Sequence, residues 1–278
     1  MRVGVISADP GHPLLAATAA VLRGDGHRVG FVGPDGVPLA GGGEPGGAAA
    51  PGALADVYLL KARTPQALAL AGRLEGRGAP VVNSVAATAR CQDRVEMAAM
   101  ARAAGVPFAE TLRTATVGEL VAAGPDLGFP LVLKSRDSRR HDLVARVDTP
   151  AGLAELAAAW SGETVIVQEF TANSGWDHKL WVVGGQLFAA RRRSELSPGG
   201  RGPNQPLPPA ALPFAWIEAA LHIGAVFGLE VYGVDVLHAG AGAAVIVDIN
   251  AFPGVRGQVG APEALAALAL RRAESGAM

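Results

Sequence analysis

A single cysteine, Cys91, stands among 278 residues, so no intramolecular disulfide can form, which suits a reducing cytoplasm. Aromatic residues make up only 5% while half of the chain is hydrophobic, so a core here must be built from Ala, Val and Leu. The net charge of −1 provides no field for gripping nucleic acid or an anionic membrane. No apolar run approaches the roughly 18 residues a membrane-spanning helix needs. Charged and polar residues come too early in "MRVGVISADPGHPLL" for a secretory leader. The phosphate-loop and nucleophile-elbow patterns are missing and no G-x-G-x-x-G follows a strand, which disfavours those cofactor and hydrolase classes. The six histidines are scattered without zinc-like spacing, and His12, His27, His222 and His238 read as ordinary solvent or packing residues.

What is present alternates strand and helix. "RVGVIS" (2–7), "RVGFVG" (28–33), "DVYLLK" (56–61) and "PVVNS" (80–84) read as strands, with helices at 12–27 and 64–77 between them. That alternation predicts a small parallel α/β sheet ending near residue 85. The Gly/Pro/Ala-rich stretch 33–53 reads as a flexible loop. A helix follows at 93–105, then strands at 129–134, 142–147 and 164–170 with a helix at 150–160. "HKLWVVGGQLFAARRR" (178–193) reads as a hairpin turning at Gly184-Gly185. The Pro/Gly-rich stretch 197–213 is long enough for a functional loop and is a candidate lid. A helix at 214–227 and strands at 231–237 and 244–250 complete an α+β remainder.

Chemistry concentrates at the end of that last strand. In "VIVDINAFPG", Asp248 and Asn250 are two apart and share one face. Taken alone they would serve equally well as a strand cap and turn. "YGVDVL" adds Asp235 on the preceding strand, and pairing of the two strands would gather three oxygen donors. Two carboxylates so close in a dry site repel, lifting one pKa above its usual value of about 3.9 unless a cation sits between them. An all-oxygen set with positions open for phosphate suits Mg²⁺, with Mn²⁺ as an acceptable replacement. Lys134 ends a strand beside the basic turn "SRDSRRH", where Arg136, Arg139, Arg140 and His141 form either an anion cradle or an exposed basic turn. Lys179 and Arg192 lie on opposite arms of the hairpin and would face one cleft or remain two surface cations.

In this order, the Asp93-Arg94 helix start, Lys134, "VIVQEF" and "GVD…DIN" resemble an ATP-grasp enzyme over most of the chain. The resemblance implies a small α/β domain (1–85), an N-terminal lobe (86–163) and a C-terminal lobe (164–278), the two lobes clamping ATP. It implies that Lys134 contacts the nucleotide phosphates, joined by Arg94 where many members have a lysine. Gln168, Glu169 and Phe170 would read adenine, and Asp235, Asp248 and Asn250 would hold Mg²⁺. "VVNS…CQDRVEMAAMARAAGVPF" is similar to RimK-type carboxylate–amine ligases, which activate a small-molecule or peptide carboxylate with ATP and join it to an amine. "KLWVVGGQLFAARRRS" with "VIVDINAFPG" is similar to ATP-grasp inositol polyphosphate kinases. On either branch His141, Lys179 and Arg192 are the candidate catalytic set, and on the kinase branch they hold an anionic acceptor. The ligase is the favoured expectation, the kinase the alternative, and a non-catalytic nucleotide-binding protein the third. A homo-oligomer is compatible with all three.

Overall fold

The structure is a computed structural model that describes all residues except 40–53, 125–126, 140, 198, 241–242 and 277–278. Most of the expected loop at 33–53, and Arg140 of the basic turn, therefore lie outside the described residues. The first layer comprises β1 (Arg2–Ile6), α1 (Pro13–Gly24), β2 (Arg28–Val32), β3 (Val57–Leu60), α2 (Pro65–Glu75) and β4 (Val81–Val82). Its four strands run parallel in the order β2-β1-β3-β4. The apolar runs of β1 and β3 are buried almost throughout, as strands covered on both faces should be. Proline opens both helices, and Thr64 Oγ1 accepts from Ala67 N at 3.2 Å to cap α2.

Two short helices, α3 (Val85–Arg90) and α4 (Arg94–Ala103), come next. Asp93 caps α4 by accepting from Val95 N at 2.8 Å and Glu96 N at 3.3 Å. Then β5 (Arg113–Thr116), α5 (Val117–Ala122), β6 (Leu131–Ser135), β7 (Val144–Val147), α6 (Pro150–Trp160) and β8 (Thr164–Glu169) form a second unit. Its antiparallel sheet has the order β5-β8-β6-β7. Leu131, Leu133, Val165 and Val167 alternate onto the face that packs Val117, Leu120 and Leu153 of α5 and α6.

The third unit has β9 (Trp176–Val183), β10 (Gln186–Arg193), β11 (Gln205–Leu207), a 3-10 turn at Pro209–Ala211, α7 (Phe214–Phe227), β12 (Val231–His238), β13 (Ala244–Ala251) and α8 (Ala261–Ser275). Its strands are antiparallel in the order β11-β10-β9-β12-β13. Gly184 and Gly185 turn the β9–β10 hairpin at φ 58° and 90°, the left-handed pair a two-residue hairpin requires. The 197–213 stretch is thus not wholly irregular, because β11 and the 3-10 turn lie inside it.

The two faces of this sheet do different things. Leu180, Val182, Val234, Val236 and Ile249 bury one face against Met97, Ala98 and Ala101 of α4 and Trp216, Ile223 and Phe227 of α7. Each large side chain removed from water there contributes about 1.5–3 kcal/mol. The segment expected as the second unit therefore lends α3 and α4 to the core of the third. On the opposite face, Trp181, Val183, Phe188 and Val231 pack with α1, β1, β3 and α8. Buried Asn83 ties the first layer on as well. Its Nδ2 donates to Val231 O at 2.7 Å, and its Oδ1 accepts from Glu230 N and Val231 N at 2.8 and 2.9 Å. The remaining half of that face looks across a cleft at the second sheet.

Candidate active site

Strand register lines up the charged residues of that half-face. Asp235 is paired on one side with Lys179 of β9 and on the other with Asp248 of β13. Arg192 pairs with Asp177, two residues along β9 from Lys179 and so on the same face. Between Asp235 and Val236 the β12–β13 register shifts, which is a bulge at the site itself. Val247 sits at this irregularity and its carbonyl accepts from Lys134 Nζ of β6 at 2.6 Å, bridging the two sheets.

Lys179 Nζ donates to Asp235 Oδ2 in a short contact and stands 3.8 Å from Asp177 Oδ2. Arg94, at the start of α4, donates from Nη1 to Asp142 Oδ2 at 2.7 Å and to Ser135 O at 2.8 Å. Its Nε lies 3.7 Å from Asp248 Oδ1. Arg94, Lys134 and Lys179 are only 5%, 6% and 7% exposed. Taking each ion out of water costs several kcal/mol, and apolar replacements commonly match or exceed the stability of such pairs. Stability alone does not explain this many buried charges, particularly as their pairing is incomplete. Asp248 Oδ1, Arg94 Nε and Arg192 Nε are buried without a hydrogen-bond partner among the described residues.

The electrostatics separate the two carboxylates. Burial raises the Asp235 pKa, and Asp248 reinforces that rise against the opposing Lys179. Burial also works against the charge of Asp248, but Arg94, Lys134 and Lys179 outweigh it and hold its pKa below the ordinary value. Burial pushes the Lys134 ammonium down to about 8, with Asp248 opposing and Arg94 adding to the shift.

The donor set passes a chemical test for Mg²⁺. A buried, unpartnered carboxylate oxygen on Asp248 beside a second carboxylate is an acceptor pair that a hard cation completes. Among the described residues no three His, Cys, Asp or Glu side chains form a protein-only metal cage. A magnesium ion here would therefore take much of its coordination from phosphate oxygens and water, as this ion commonly does.

The cleft between the sheets encloses about 780 Å³, within the size range of small-molecule sites. Arg94, Lys134, Lys179, Asp235 and Asp248 line it, and Gln168, Glu169 and Phe170 line it where β8 ends. Gln168 Nε2 donates to Ala109 O at 3.3 Å, and the Arg146 guanidinium lies 3.9 Å over the Phe170 ring. Not every expected residue arrives. His141 is exposed at φ 60° and is not among the lining residues. Arg192 is buried 3.9 Å from Asp177 rather than lining the cleft, where its neighbour Arg193 does. Asn250 sits behind Asp248, donating from Nδ2 to Asp248 Oδ2 at 3.2 Å. Asp177, Arg146 and Arg193 are lining residues that sequence reading passes over. Asp177 was accessible, lying two residues before Lys179 on one strand face. Ser197, Gly199, Gly200 and Gly202, from the candidate lid stretch, also border the cleft.

With this geometry in hand, known proteins give a consistent comparison. The profile of the RimK-like ATP-grasp domain matches residues 113–262. A probable alpha-L-glutamate ligase of Thioalkalivibrio sulfidiphilus is 30% identical over 141 residues, covering 47% of this chain and 45% of that protein. The chain thus matches about half the length of such curated relatives. The crystal structure of a RimK domain ATP-grasp protein from Sphaerobacter thermophilus superposes with a TM-score of 0.72 at 25% identity, covering 97% of this chain and 100% of that one. A D-alanine–D-alanine ligase from Bacillus anthracis shares the fold at TM-score 0.67 and 17% identity, with 99% and 97% covered.

Proposed function

The chain belongs to the RimK-like ATP-grasp family, and on that premise we propose that it is a Mg²⁺- and ATP-dependent carboxylate–amine ligase. The observation that carries this reading is the paired Asp235 and Asp248, set among Lys134, Lys179 and Arg94 in a cleft between two sheets. Adenine would lie against Gln168, Glu169 and Phe170, and the phosphates would run toward Lys134 and Arg94. Mg²⁺, held by Asp235 and Asp248 with Asn250 supporting Asp248, would supply neutralisation of phosphate charge. The names of the curated relatives point to an amino acid as one substrate.

The chemistry is two displacements. A carboxylate oxygen of the acid attacks the γ-phosphorus as the bond to the ADP oxygen breaks, forming an acyl phosphate. The amine nitrogen then adds to the acyl carbon, phosphate leaves with one of the acid's oxygens, and the amine proton passes to solvent. Within this scheme Lys134 and Lys179 stabilise the charge spreading over the transferred phosphoryl oxygens. Arg192 positions Asp177 and, through it, Lys179. Residues 197–213 act as a lid that keeps water from the acyl phosphate.

The test uses an ¹⁸O-labelled acid panel with and without amines. Amine-dependent phosphate release with one ¹⁸O in the phosphate supports the ligase. A stable phosphorylated product formed without amine would instead restore the kinase, whose distinguishing residue, His141, is not at the cleft. ATP binding with no turnover on any acceptor would favour a non-catalytic role.

A further inference from the structure

A second concentration of charge lies where the first sheet meets the loop after β13. Lys61 directly follows β3, its backbone N donating to Ile6 O at 3.0 Å, and Arg63 comes two residues later. Arg256 approaches from the loop Phe252–Arg256. A Cβ on Gly254 would stand 3.4 Å from His12 Nε2 and 3.5 Å from Arg256 Cγ and Nε, so both side chains lie beside this glycine. The loop is held in an unusual form, with Phe252 at φ 46° and β-branched Val255 at φ 40°. His12 occupies the position before α1 but makes no side-chain cap, which leaves the positive end of a twelve-residue helix directed here.

Three cations and a helix N-terminus thus share one corner, with exposed Asp9 an acid that offsets them in part. Asp9 is itself engaged, its Oδ1 accepting from Gly11 N at 2.9 Å. Among the described residues Lys61, Arg63 and Arg256 form no ion pair, although other arginines of the chain are matched to carboxylates. Arg63 Nη1 and His12 Nδ1 are buried without a hydrogen-bond partner among the described residues. The cations are close enough to disfavour one another's charge: burial, then Arg63 and Arg256, push the Lys61 amine down to about 8. A corner that gathers unpaired like charges is in a high-energy state that an anion relieves.

Its position relative to the cleft follows from the chain: the loop Phe252–Arg256 leaves β13 directly after Ala251, three residues beyond Asp248, so the corner adjoins the Asp248 end of the cleft. The buried Cys91 thiol is in keeping with this, pushed up to about 12 by burial and by the Asp248 charge while Arg63 pulls it back.

We infer that Lys61, Arg63 and Arg256, with His12 at the start of α1, form an anion subsite for a carboxylate or phosphate group of the substrate, separate from the carboxylate that is activated. The subsite deepens the ligase reading and rests on it in one respect only, namely that the bound anion belongs to a substrate. It makes the substrate class an acid with a second negative group.

The test is equilibrium binding of glutarate, its monoamide glutaramate and inorganic phosphate to the full chain at pH 7, with an unhydrolysable Mg-ATP analogue titrated separately. Wild type should bind glutarate at least tenfold more tightly than glutaramate, and inorganic phosphate should compete. Arg256→Gln, at an exposed residue, should weaken glutarate at least tenfold. Lys61→Gln should do the same, and Lys61→Arg should recover most of the loss, which separates charge from folding. Preference for phosphate over glutarate would identify a phosphate-bearing substrate within the same subsite. Equal affinity for glutarate and glutaramate, or variants that bind glutarate as wild type does, would overturn the subsite. Failure of wild type to bind the nucleotide would sink the ligase reading and leave the anion result to stand by itself.

Discussion

Replacing Lys134 with methionine separates a lysine that greets phosphate from one that merely braces two sheets. In the ligand-free protein, burial holds its ammonium down to about 8, partly countered by Asp248 and deepened by Arg94. A triphosphate placed beside it restores the charged form, so binding must take up protons. The uptake follows from the fraction uncharged beforehand: about 0.1 proton at pH 7, about 0.5 at pH 8 and about 0.9 at pH 9. The sign is fixed. Affinity for Mg-ATP falls as pH rises through about 8, and is about 20-fold weaker at pH 9.5 than at pH 7.5 if the bound lysine returns to its ordinary value. Calorimetric titrations in buffers of different ionisation enthalpy read the proton count directly. Lys134→Met should abolish the uptake and flatten the pH profile, whereas Lys61→Gln, which alters a lysine also near 8 but outside the cleft, should leave both unchanged. Proton release, or uptake that survives Lys134→Met, would refute the placement of phosphate at Lys134.

Three further predictions concern stability. Arg94→Met leaves Asp142 and Asp248 without their shared partner and should lower the unfolding free energy by about 3–5 kcal/mol in denaturant titrations. Arg102→Met, which breaks an exposed pair with Glu110, should cost about 0–1 kcal/mol by the same measurement. Gly224→Ala would put a Cβ 2.4 Å from the Tyr232 hydroxyl, which is fixed by donating to Ala220 O at 2.9 Å, so overpacking should cost about 1–3 kcal/mol.

Much of the fold was readable because its signals are local. β-Branched runs ending in Asp248, the paired glycines at 184–185 and the Asp93 cap each write their own geometry. α8 carries an equally local signal, its buried Leu265, Ala266, Leu268, Ala269 and Ala273 falling at helical spacing, although the sequence reading stops at strand 244–250 and passes over it. The site divides along the same line. Strand alternation places Asp248 with Asn250, and Asp177 with Lys179, on single faces. It cannot say that β9 lies between β10 and β12, and only that order sets Lys179 opposite Asp235. Nor does it show that a bulge turns Val247 toward Lys134, or that α4 leaves the middle segment to bury itself against α7. The basic turn reads equally as an anion cradle or an exposed turn in one dimension, and its histidine, His141, is exposed.

The most direct measurement is nucleotide affinity as a function of magnesium concentration in wild type, Asp235→Asn and Asp248→Asn. Wild type should bind ATP at least about tenfold more tightly when Mg²⁺ is present, and each variant should lose most of that gain while keeping its fold. Affinity indifferent to magnesium in wild type, or a magnesium response undiminished in both variants, would contradict the carboxylate-pair site.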